Sequence, residues 1–527
     1  MESAHVSDAD VRAQLTTILA DSQFRHSTIL HDFLSYIVEE TLLGHSNTLK
    51  EYTIGKMVLS KKTAYDTQSD ASVRIHAVRL RKALAAYYAG SGKTDPILIT
   101  VPKGSYVPKF EPNTPSTYLA VADGHKVYNR PTLAVLPFHV YNKEQDAALA
   151  DGLCDQLCTD FTHFNEIAVL SYYSARRFAE QHDDLRKIGQ MLDVNYILTG
   201  NIQSVDEDIR IRVQLTVANT LQQIWASTYE RKRNAFNTLT LQDDIVRHVI
   251  NQIAGSLGII IRNSVQLPPD KELLDIKVYD AVFWFYYLVG ELDANLYQKA
   301  LSSMKESVRL DNSYALGWAI LGETYVAGYF FQFLSADDKP LEEAVKCGKM
   351  AQKLNKNCHH AYQTLALAHV FRHEKEACLS IVKDWQSLNV NVAGVSGGLG
   401  FCLICCGEYD QGYQMLSDSI YLNPYYPWWF NAGICMYHLK KKEFDEAIYW
   451  AEKLQAFTPL WQALFTITAL MESERIDEAY EHNRANPHLP PQQALASVVR
   501  SFILDETLAI LIESRNAEAK TRVQTYL

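Results

Sequence analysis

A dipeptide that recurs every 34 residues constrains the fold of this chain more than any other feature. Leu354-Asn355, Leu388-Asn389 and Leu422-Asn423 are spaced by 34 residues, and Thr458-Pro459 follows Asn423-Pro424 one residue later than strict repetition. A repeat of this length is typical of a pair of helices that has too little core alone and must stack on its neighbours. The pattern therefore predicts a helical array in the C-terminal half.

Two segments within this array carry a family signature. The stretches YDQGYQMLSDSIYLNP and FDEAIYWAEKLQAFTP, together with the period of 34, resemble tetratricopeptide repeats. Upstream, Leu310-Asp311 comes ten residues too early, and the insertion YFFQFLSADDKP nearby explains the offset. The resemblance implies an α-solenoid over residues 275–527 that binds a protein partner or a second copy of the chain.

Residues 1–112 have a different pattern, three helices and then two short strands. One stripe of the first helix contains Leu30, Phe33, Leu34, Ile37 and Val38. The stretch LKEYTIGKMVL repeats the pattern, and a third helix is predicted over 71–89. The strands PILITV and SYVPKF then flank Pro102-Lys103-Gly104. Three helices followed by a hairpin are the parts of a winged helix.

The third helix has two distinct faces on a helical wheel. The side expected to pack on the first two helices contains Val73, Ala77, Leu80, Leu84 and Tyr87. The opposite side contains Arg74, Ile75, Val78, Arg79 and Lys82. Arginine can bind guanine through two hydrogen bonds and apolar groups can contact a thymine methyl, so the second face suits the major groove of DNA.

The charge of this region differs from that of the chain as a whole. The net charge is −11, yet seven basic residues face one acidic residue between Ala71 and Lys109. A basic island on an acidic protein is typical of a polyanion-binding surface. A solvated charged face is the alternative, and charge alone does not exclude it.

A second family resemblance adds specific residues. VRIHAVRLRKAL resembles the recognition helix of OmpR/PhoB-type winged-helix response regulators, and ITVPKGSYVPKF resembles their wing. The resemblance covers about residues 25–110. The DNA contacts that it implies are Arg74, His76, Arg79, Arg81 and Lys82, with Lys103 in the wing. Two departures, Pro102-Lys103 in the wing and Arg74 where an acidic residue is common, leave the base preference open. On the wheel His76 lies nearer the core, so a buried structural histidine is its alternative role.

Residues 113–130 predict a linker, and residues 131–260 predict a small α/β domain. The element order is β-α-β-α-β-β-β, closed by the helix LQDDIVRHVINQIAGSLG. The stretches LAVLPF, ADGLCDQL, IGQMLDVNYILTGNI and IWASTYER resemble the TolB amino-terminal-like domain. Such domains commonly lie between an effector domain, either a winged helix or a nucleotide cyclase, and helical repeats. No catalytic role comes with this resemblance, and a small-ligand pocket stays open.

Four short motifs could indicate a functional site, but a purely structural role explains three of them better and the fourth equally well. Gly92-Lys93-Thr94 lacks the spacing and the strand-to-helix context of a phosphate-binding loop. The G-x-S-x-G match at 394–398 falls at the start of a repeat helix, where a hydrolase would need a strand before the serine.

Cys402, Cys405 and Cys406 lack a second metal-ligand pair at a known spacing, although Cys358-His359-His360 lies one repeat earlier. The aromatic cluster Tyr425, Tyr426, Trp428 and Trp429 fits a partner surface and a buried junction equally.

Together these observations predict a multidomain, mainly α-helical bacterial transcription regulator. It binds duplex DNA through a winged helix and senses a protein or small ligand through the other regions. We expect no enzymatic activity, cofactor, metal or membrane association. The acidic N-terminus and nine cysteines without a secretion signal favour the cytoplasm. The alternative is a signalling scaffold whose winged helix and repeats dock proteins.

Overall fold

The computed structural model of the chain divides into two compact units, Met1–Tyr128 and Asn129–Leu527. The ranges that it describes are 7–25, 27–58, 72–89, 91–102, 105–113, 130–179, 184–232, 238–255, 258–264, 294–390, 392–454, 458–487 and 489–525. Most of the described residues are helical, and the strands form one two-stranded and one six-stranded sheet. The prediction of a mainly α-helical multidomain chain is therefore confirmed at this level.

The first unit contains five α-helices and a hairpin among its described residues. The elements are α1 (Asp8–Ala20), α2 (Ser22–Arg25), α3 (Thr28–Leu42), α4 (Glu51–Met57), α5 (Ser72–Ala89), β1 (Ile97–Thr100) and β2 (Lys109–Pro112). The predicted stripe on α3 is buried throughout, as is Ile54 of α4. Sequence patterns did not predict α1, although Ser7 caps it by accepting from the Asp10 amide. Its Val11, Leu15 and Ile18 complete the core of this unit.

The two strands pair antiparallel and are attached to α5. Ile97 lies opposite Pro112, and Thr100 lies opposite Lys109. The buried Tyr88 hydroxyl of α5 donates to the Ile97 carbonyl at 2.9 Å and accepts from the Ile99 amide at 2.8 Å. Helix α5 and the hairpin are therefore one packed assembly.

The turn that ends α5 is held by hydrogen bonds and close packing with α5 and α1. The Asp95 carboxylate accepts from the Tyr87 hydroxyl at 2.6 Å and also from the Gln14 amide. The Gly92 amide donates back to the Tyr87 carbonyl, and a Cβ at Gly92 would overlap the Tyr87 ring. Close packing accounts for the glycine of the Gly92-Lys93-Thr94 sequence without a bound phosphate.

The second unit begins with the α/β region. Its strands are β3 (Thr132–Val135), β4 (His139–Val140), β5 (Ala168–Val169), β6 (Tyr196–Val205), β7 (Asp208–Val217) and β8 (Gln223–Lys232). Helix α6 (Lys143–Phe161) lies between β4 and β5, and α7 (Tyr172–Ala179) and α8 (Leu185–Leu192) lie between β5 and β6. Helices α9 (Thr238–Ile253) and α10 (Ile259–Ser264) follow β8. Sheet order is β5-β3-β6-β7-β8, with β4 paired to β6. Strand β3 is parallel to β5 and β6, whereas β6, β7 and β8 are antiparallel.

The rest of the second unit is an array of helices. They are α11 (Ala294–Leu310), α12 (Ala315–Phe330), α13 (Pro340–Leu354), α14 (His359–Phe371), α15 (Lys375–Gln386), α16 (Ala393–Cys405), α17 (Tyr409–Leu422), α18 (Phe430–Lys441), α19 (Phe444–Glu452), α20 (Pro459–Glu472), α21 (Ile476–Ala485), α22 (Gln492–Val499) and α23 (Glu506–Thr525). In the series α12, α14, α16, α18 and α20 each of the first four helices packs on the next member, and all five pack on the helix that follows in sequence. This is the neighbour-to-neighbour packing expected of a 34-residue repeat.

Candidate nucleic-acid interface

Helix α5 presents one face to the core of the first unit, as its sequence predicted. Val73, Ala77, Leu80, Leu84 and Tyr87 are all buried, and the helix contacts α2, α3, α4 and β1. The core-facing side of the wheel is therefore confirmed. The opposite side of the helix is left as the candidate surface for a partner.

The outward side is defined by Val78 and Arg79 among the side chains that the structure describes. Val78 is 48% exposed, a high value for a valine, and Arg79 is half-buried. An exposed apolar group beside a guanidinium suits the major groove, where thymine presents a methyl group and guanine presents two acceptors. Arg74 and Lys82 belong to α5 as predicted, but their side chains lie outside what the structure describes.

His76 lies in the core rather than on this surface. Its side chain is 2% exposed, and its Nδ1 lies 3.4 Å from Nη1 of Arg79. This is the alternative that the helical wheel left open, a buried structural histidine. His76 thus contacts the Arg79 side chain from the core side of α5 and does not reach toward solvent.

Arg81 has a role that the family resemblance did not predict. Its Nε donates to the Val101 carbonyl at 2.8 Å, and its Nη2 donates to the carbonyls of Pro102 at 3.1 Å and Ser105 at 2.9 Å. These three acceptors flank Lys103, which lies outside the described residues. The Arg81 guanidinium therefore attaches both sides of the hairpin loop to α5, and these bonds assign it to positioning the loop.

The aromatic cluster predicted as a partner surface packs largely within the chain. The Arg262 guanidinium carbon lies 4.2 Å above the ring of Tyr425, which is 40% exposed. Tyr426 stacks on Phe430, and Trp429 meets Phe401 and Phe430 edge-on. Trp428 lies 6.3 Å from the ring of Phe331. Tyr425 is exposed and the other three side chains are half-buried, so the role of this cluster as a partner surface stays a prediction.

A second aromatic cluster in the array is centred on one buried ring. Phe502, between α22 and α23, contacts the rings of Phe330, Phe371, Phe401 and Trp461, which come from four different helices. The next residues are also attached, because the Leu504 amide donates to the Cys405 carbonyl at 2.9 Å. The segment between α22 and α23 therefore packs on the helices of the array and covers this part of their surface.

The G-x-S-x-G motif lies inside helix α16, where its glycines serve packing. A Cβ at Gly397 would overlap the ring of Phe430, and one at Gly398 would overlap the Gln363 side chain. No strand precedes Ser396 among the described residues of the array, which are helical from Ala294 onward. The geometry is that of closely approaching helices rather than of a nucleophile on a strand-to-helix turn.

The cysteines of the chain behave as core residues. All nine are buried and free. Burial raises the pKa of Cys154, Cys158 and Cys347 to about 12, so these thiols stay protonated at neutral pH. In the described ranges, no three His, Cys, Asp or Glu side chains form a group that could hold a metal ion. Nor does any helix of the described residues combine the length and apolar character needed to cross a bilayer.

Two comparisons with known proteins place part of the chain. Residues 129–248, from before β3 to most of α9, match the family model of the HilA/YgeH-like transcriptional regulators, second domain. A Rhizobium meliloti (strain 1021) protein named "Putative adenylate cyclase 3" is 25% identical over 246 residues, which are 45% of this chain and 40% of that protein. The chain thus spans under half the length of this relative. The family match supports a transcription regulator, and it falls in the α/β region.

Proposed function

We propose that this protein is a bacterial, cytoplasmic transcription regulator that reads duplex DNA with the outward face of α5 and the adjoining hairpin loop. Residues 1–112 would be an OmpR/PhoB-type winged helix and 113–130 a linker. Residues 131–260 would be a TolB-like domain and 275–527 tetratricopeptide repeats. The last two regions would sense a protein or small ligand, and the role is non-enzymatic.

The observation that carries this proposal is the arrangement of α5. One side of the helix is fully buried, and the other shows Val78 and Arg79 within a stretch where basic residues outnumber acidic ones seven to one. Arg81 fixes the loop that carries Lys103 to the same helix. A helix for the groove and a cationic loop held beside it are the two parts of a winged-helix reader. The match to a transcriptional-regulator family supports the same conclusion.

Salt-dependent binding tests the proposal directly. A lysine that binds a phosphate displaces a counterion, so removing one such lysine lowers the slope of log affinity against log salt by about one unit. We expect Lys103→Ala to weaken binding to specific and scrambled duplexes alike and to lower the slope by about one unit. Fluorescence anisotropy of the full-length chain across a salt series measures both quantities.

A charge-matched control separates a local phosphate interaction from overall charge. Lys349 is exposed on α13, in the other unit, and Lys349→Ala removes the same charge. We expect this variant to keep the parent affinity and slope. If the parent chain binds no duplex in a salt-dependent way, the proposal is wrong and a protein-docking scaffold becomes the better explanation. Equal effects of the two substitutions would also contradict a phosphate contact by Lys103.

A further inference from the structure

The α/β region lies against the turns that join successive helices of the array. The Asn165 side-chain amide donates to the Asn357 carbonyl at 3.2 Å, in the turn before α14. The Asn251 side-chain oxygen accepts from the amide of Ala393, the first residue of α16, at 2.7 Å. His248 of α9 meets the ring of Tyr421, near the end of α17, edge-on at 4.7 Å. Residues in or beside three alternate turns of the array, those before α14, α16 and α18, thus contact the same α/β region.

The spacing of these contacts follows the sequence repeat. The dipeptides at 354–355, 388–389 and 422–423 recur every 34 residues, and each precedes or enters one of the three turns. Helix α9 packs on α17 in the same interface. The repeat therefore produces a row of equivalent turns, and the α/β region occupies that row.

The centre of this interface is a buried row of three ionisable side chains. His360, the second residue of α14, places Nδ1 2.8 Å from Oε1 of Glu323 on α12. Its Nε2 lies 3.0 Å from Oε1 of Glu166, which precedes β5 in the α/β region. The exposed fractions of His360, Glu166 and Glu323 are 5%, 2% and 7%. One imidazole thus bridges a carboxylate of each region.

The geometry fixes the protonation state of this row. Both ring nitrogens face carboxylate oxygens, and an imidazole can donate from both only as the imidazolium. Burial by itself lowers the pKa of His360, but the charge of Glu323 and the hydrogen bond to Glu166 outweigh it and raise the pKa to about 10. Burial by itself raises the pKa of Glu166, but the hydrogen bond to His360 and the charge of His360 together outweigh burial and hold that pKa below its usual value. The neighbouring His359 stays neutral because burial lowers its pKa to about 4.

A charged row of this kind couples the two regions strongly. A buried charge is tolerated only while its partners stay in place, because removing one partner leaves the others unpaired at low dielectric. Any movement of the α/β region away from the array would separate Glu166 from His360. Separating the α/β region from the array is therefore unfavourable, because it leaves buried charges without their partners.

We propose that Glu166, His360 and Glu323 form a joint that makes the α/β region and the helical repeats move as one rigid body. A ligand or partner bound to either region would then reposition both. This inference does not depend on DNA binding. In this proposal the turns between repeats bind the α/β region of the same chain rather than an external partner.

Paired spin labels test the joint in the full-length chain. Because all nine native cysteines are buried, labels attach to cysteines introduced at exposed positions, Lys187→Cys in α8 and Lys383→Cys in α15. We expect one narrow distribution of label-to-label distances in the parent. Glu166→Gln removes the charge while keeping the shape, and it should broaden that distribution about twofold or give it a second component.

A matched control asks whether any histidine–glutamate pair would have this effect. His438 Nδ1 lies 2.7 Å from Glu443, but His438 lies in α18 and Glu443 directly precedes α19, so both residues belong to the array. His438→Gln should leave the distance distribution narrow. A broadened distribution in this control would show that general loosening, rather than the joint, explains the result.

A second variant keeps the test decisive if Glu166→Gln does not fold by circular dichroism. Glu166→Asp retains the charge and shortens the side chain by one methylene, so it weakens the contact with His360 more mildly. It too should broaden the distance distribution. The proposal is wrong if every folded Glu166 variant keeps the narrow distribution of the parent.

Discussion

The outward face of α5 and the row at Glu166–His360–Glu323 use charge in opposite ways. Around α5 the cations outnumber the acids, and Arg79 is half-buried above His76. In the row, every ionisable side chain is almost fully buried, and two carboxylates share one imidazolium. A solvated charge can meet a phosphate at little desolvation cost, whereas a buried charge is committed to partners inside the chain.

Arg81 belongs to neither extreme and clarifies the difference. It lies on the same helix as Arg79, yet its donors are taken by three backbone carbonyls. The two arginines are of the same residue type on one helix, so the bonds to the carbonyls, and not the residue type, assign Arg81 to the hairpin loop. Charge near a predicted site is therefore evidence of binding only after its internal partners are known.

The largest effect that we expect comes from removing the shared cation. His360→Gln removes the positive charge that Glu166 and Glu323 share, and breaking a buried ion pair typically costs about 3–5 kcal/mol. Denaturant unfolding followed by circular dichroism should show this loss in the second unit. As a contrast, Arg309→Gln removes an exposed pair with Glu306 and should leave the unfolding midpoint unchanged. If the two substitutions lowered stability equally, the buried ion pairs would be no more stabilising than the exposed one, which would contradict this account.

The pH dependence of stability should follow from the same row. The folded-state pKa of His360, about 10, exceeds its unfolded value of 6.5, so its contribution is complete below pH 6.5 and is lost as pH rises toward 10. Glu166 has a lowered pKa, so its contribution is lost as pH falls below 4.5. Besides Glu166, His360 and Glu323 themselves, the titratable groups close to this row are His359 and Cys358.

The measurement is the unfolding free energy of the full chain from pH 6.5 to 10. We expect a steady decline in the parent and a flatter profile in His360→Gln, because that variant has no imidazole at position 360 to titrate. Parallel profiles in the two proteins would contradict the assigned protonation of His360.

The sequence predicted the parts of this molecule that repeat or alternate. The 34-residue period located the array, and all five residues that the helical wheel assigned to the core side of α5 are buried, although it left out the buried Ala83 and Tyr88. It missed α1, and it missed the short α7 between β5 and α8. The family resemblance assigned Arg81 to DNA because the motif records residue types, while the three carbonyls that hold it lie 20 to 24 residues away.

The joint was beyond sequence analysis for a similar reason. Glu166 and His360 are 194 residues apart, and Glu323 and His360 are 37 residues apart. No periodic pattern connects them. The sequence drew attention to Cys358-His359-His360 only as a weak metal motif, and the structure shows that His360 bonds to carboxylates instead.

A smaller effect should follow from changing the donor geometry of Arg81. Arg81→Lys keeps the charge, but a single ammonium cannot replace the planar guanidinium that reaches three carbonyls. We expect a loss of about 1–3 kcal/mol of local stability. Faster hydrogen exchange of the hairpin amides and weaker binding to all duplexes would show it. Lys93→Ala, an exposed cation in the turn after α5, is the matched control and should change neither. Unaltered hairpin exchange in Arg81→Lys would mean that the arginine does not hold the loop.

The most direct test of DNA reading by α5 is the loss of discrimination in Arg79→Ala. A duplex selected from a random pool by the parent chain and a scrambled duplex of equal length are compared by fluorescence anisotropy. If Arg79 reads a base, the substitution should cost about 1–3 kcal/mol on the selected duplex, relax preference at one position and affect the scrambled duplex much less. Equal losses on both duplexes would show that Arg79 contacts only the backbone. No loss on either would contradict the assignment of the outward face of α5 as the surface that reads DNA.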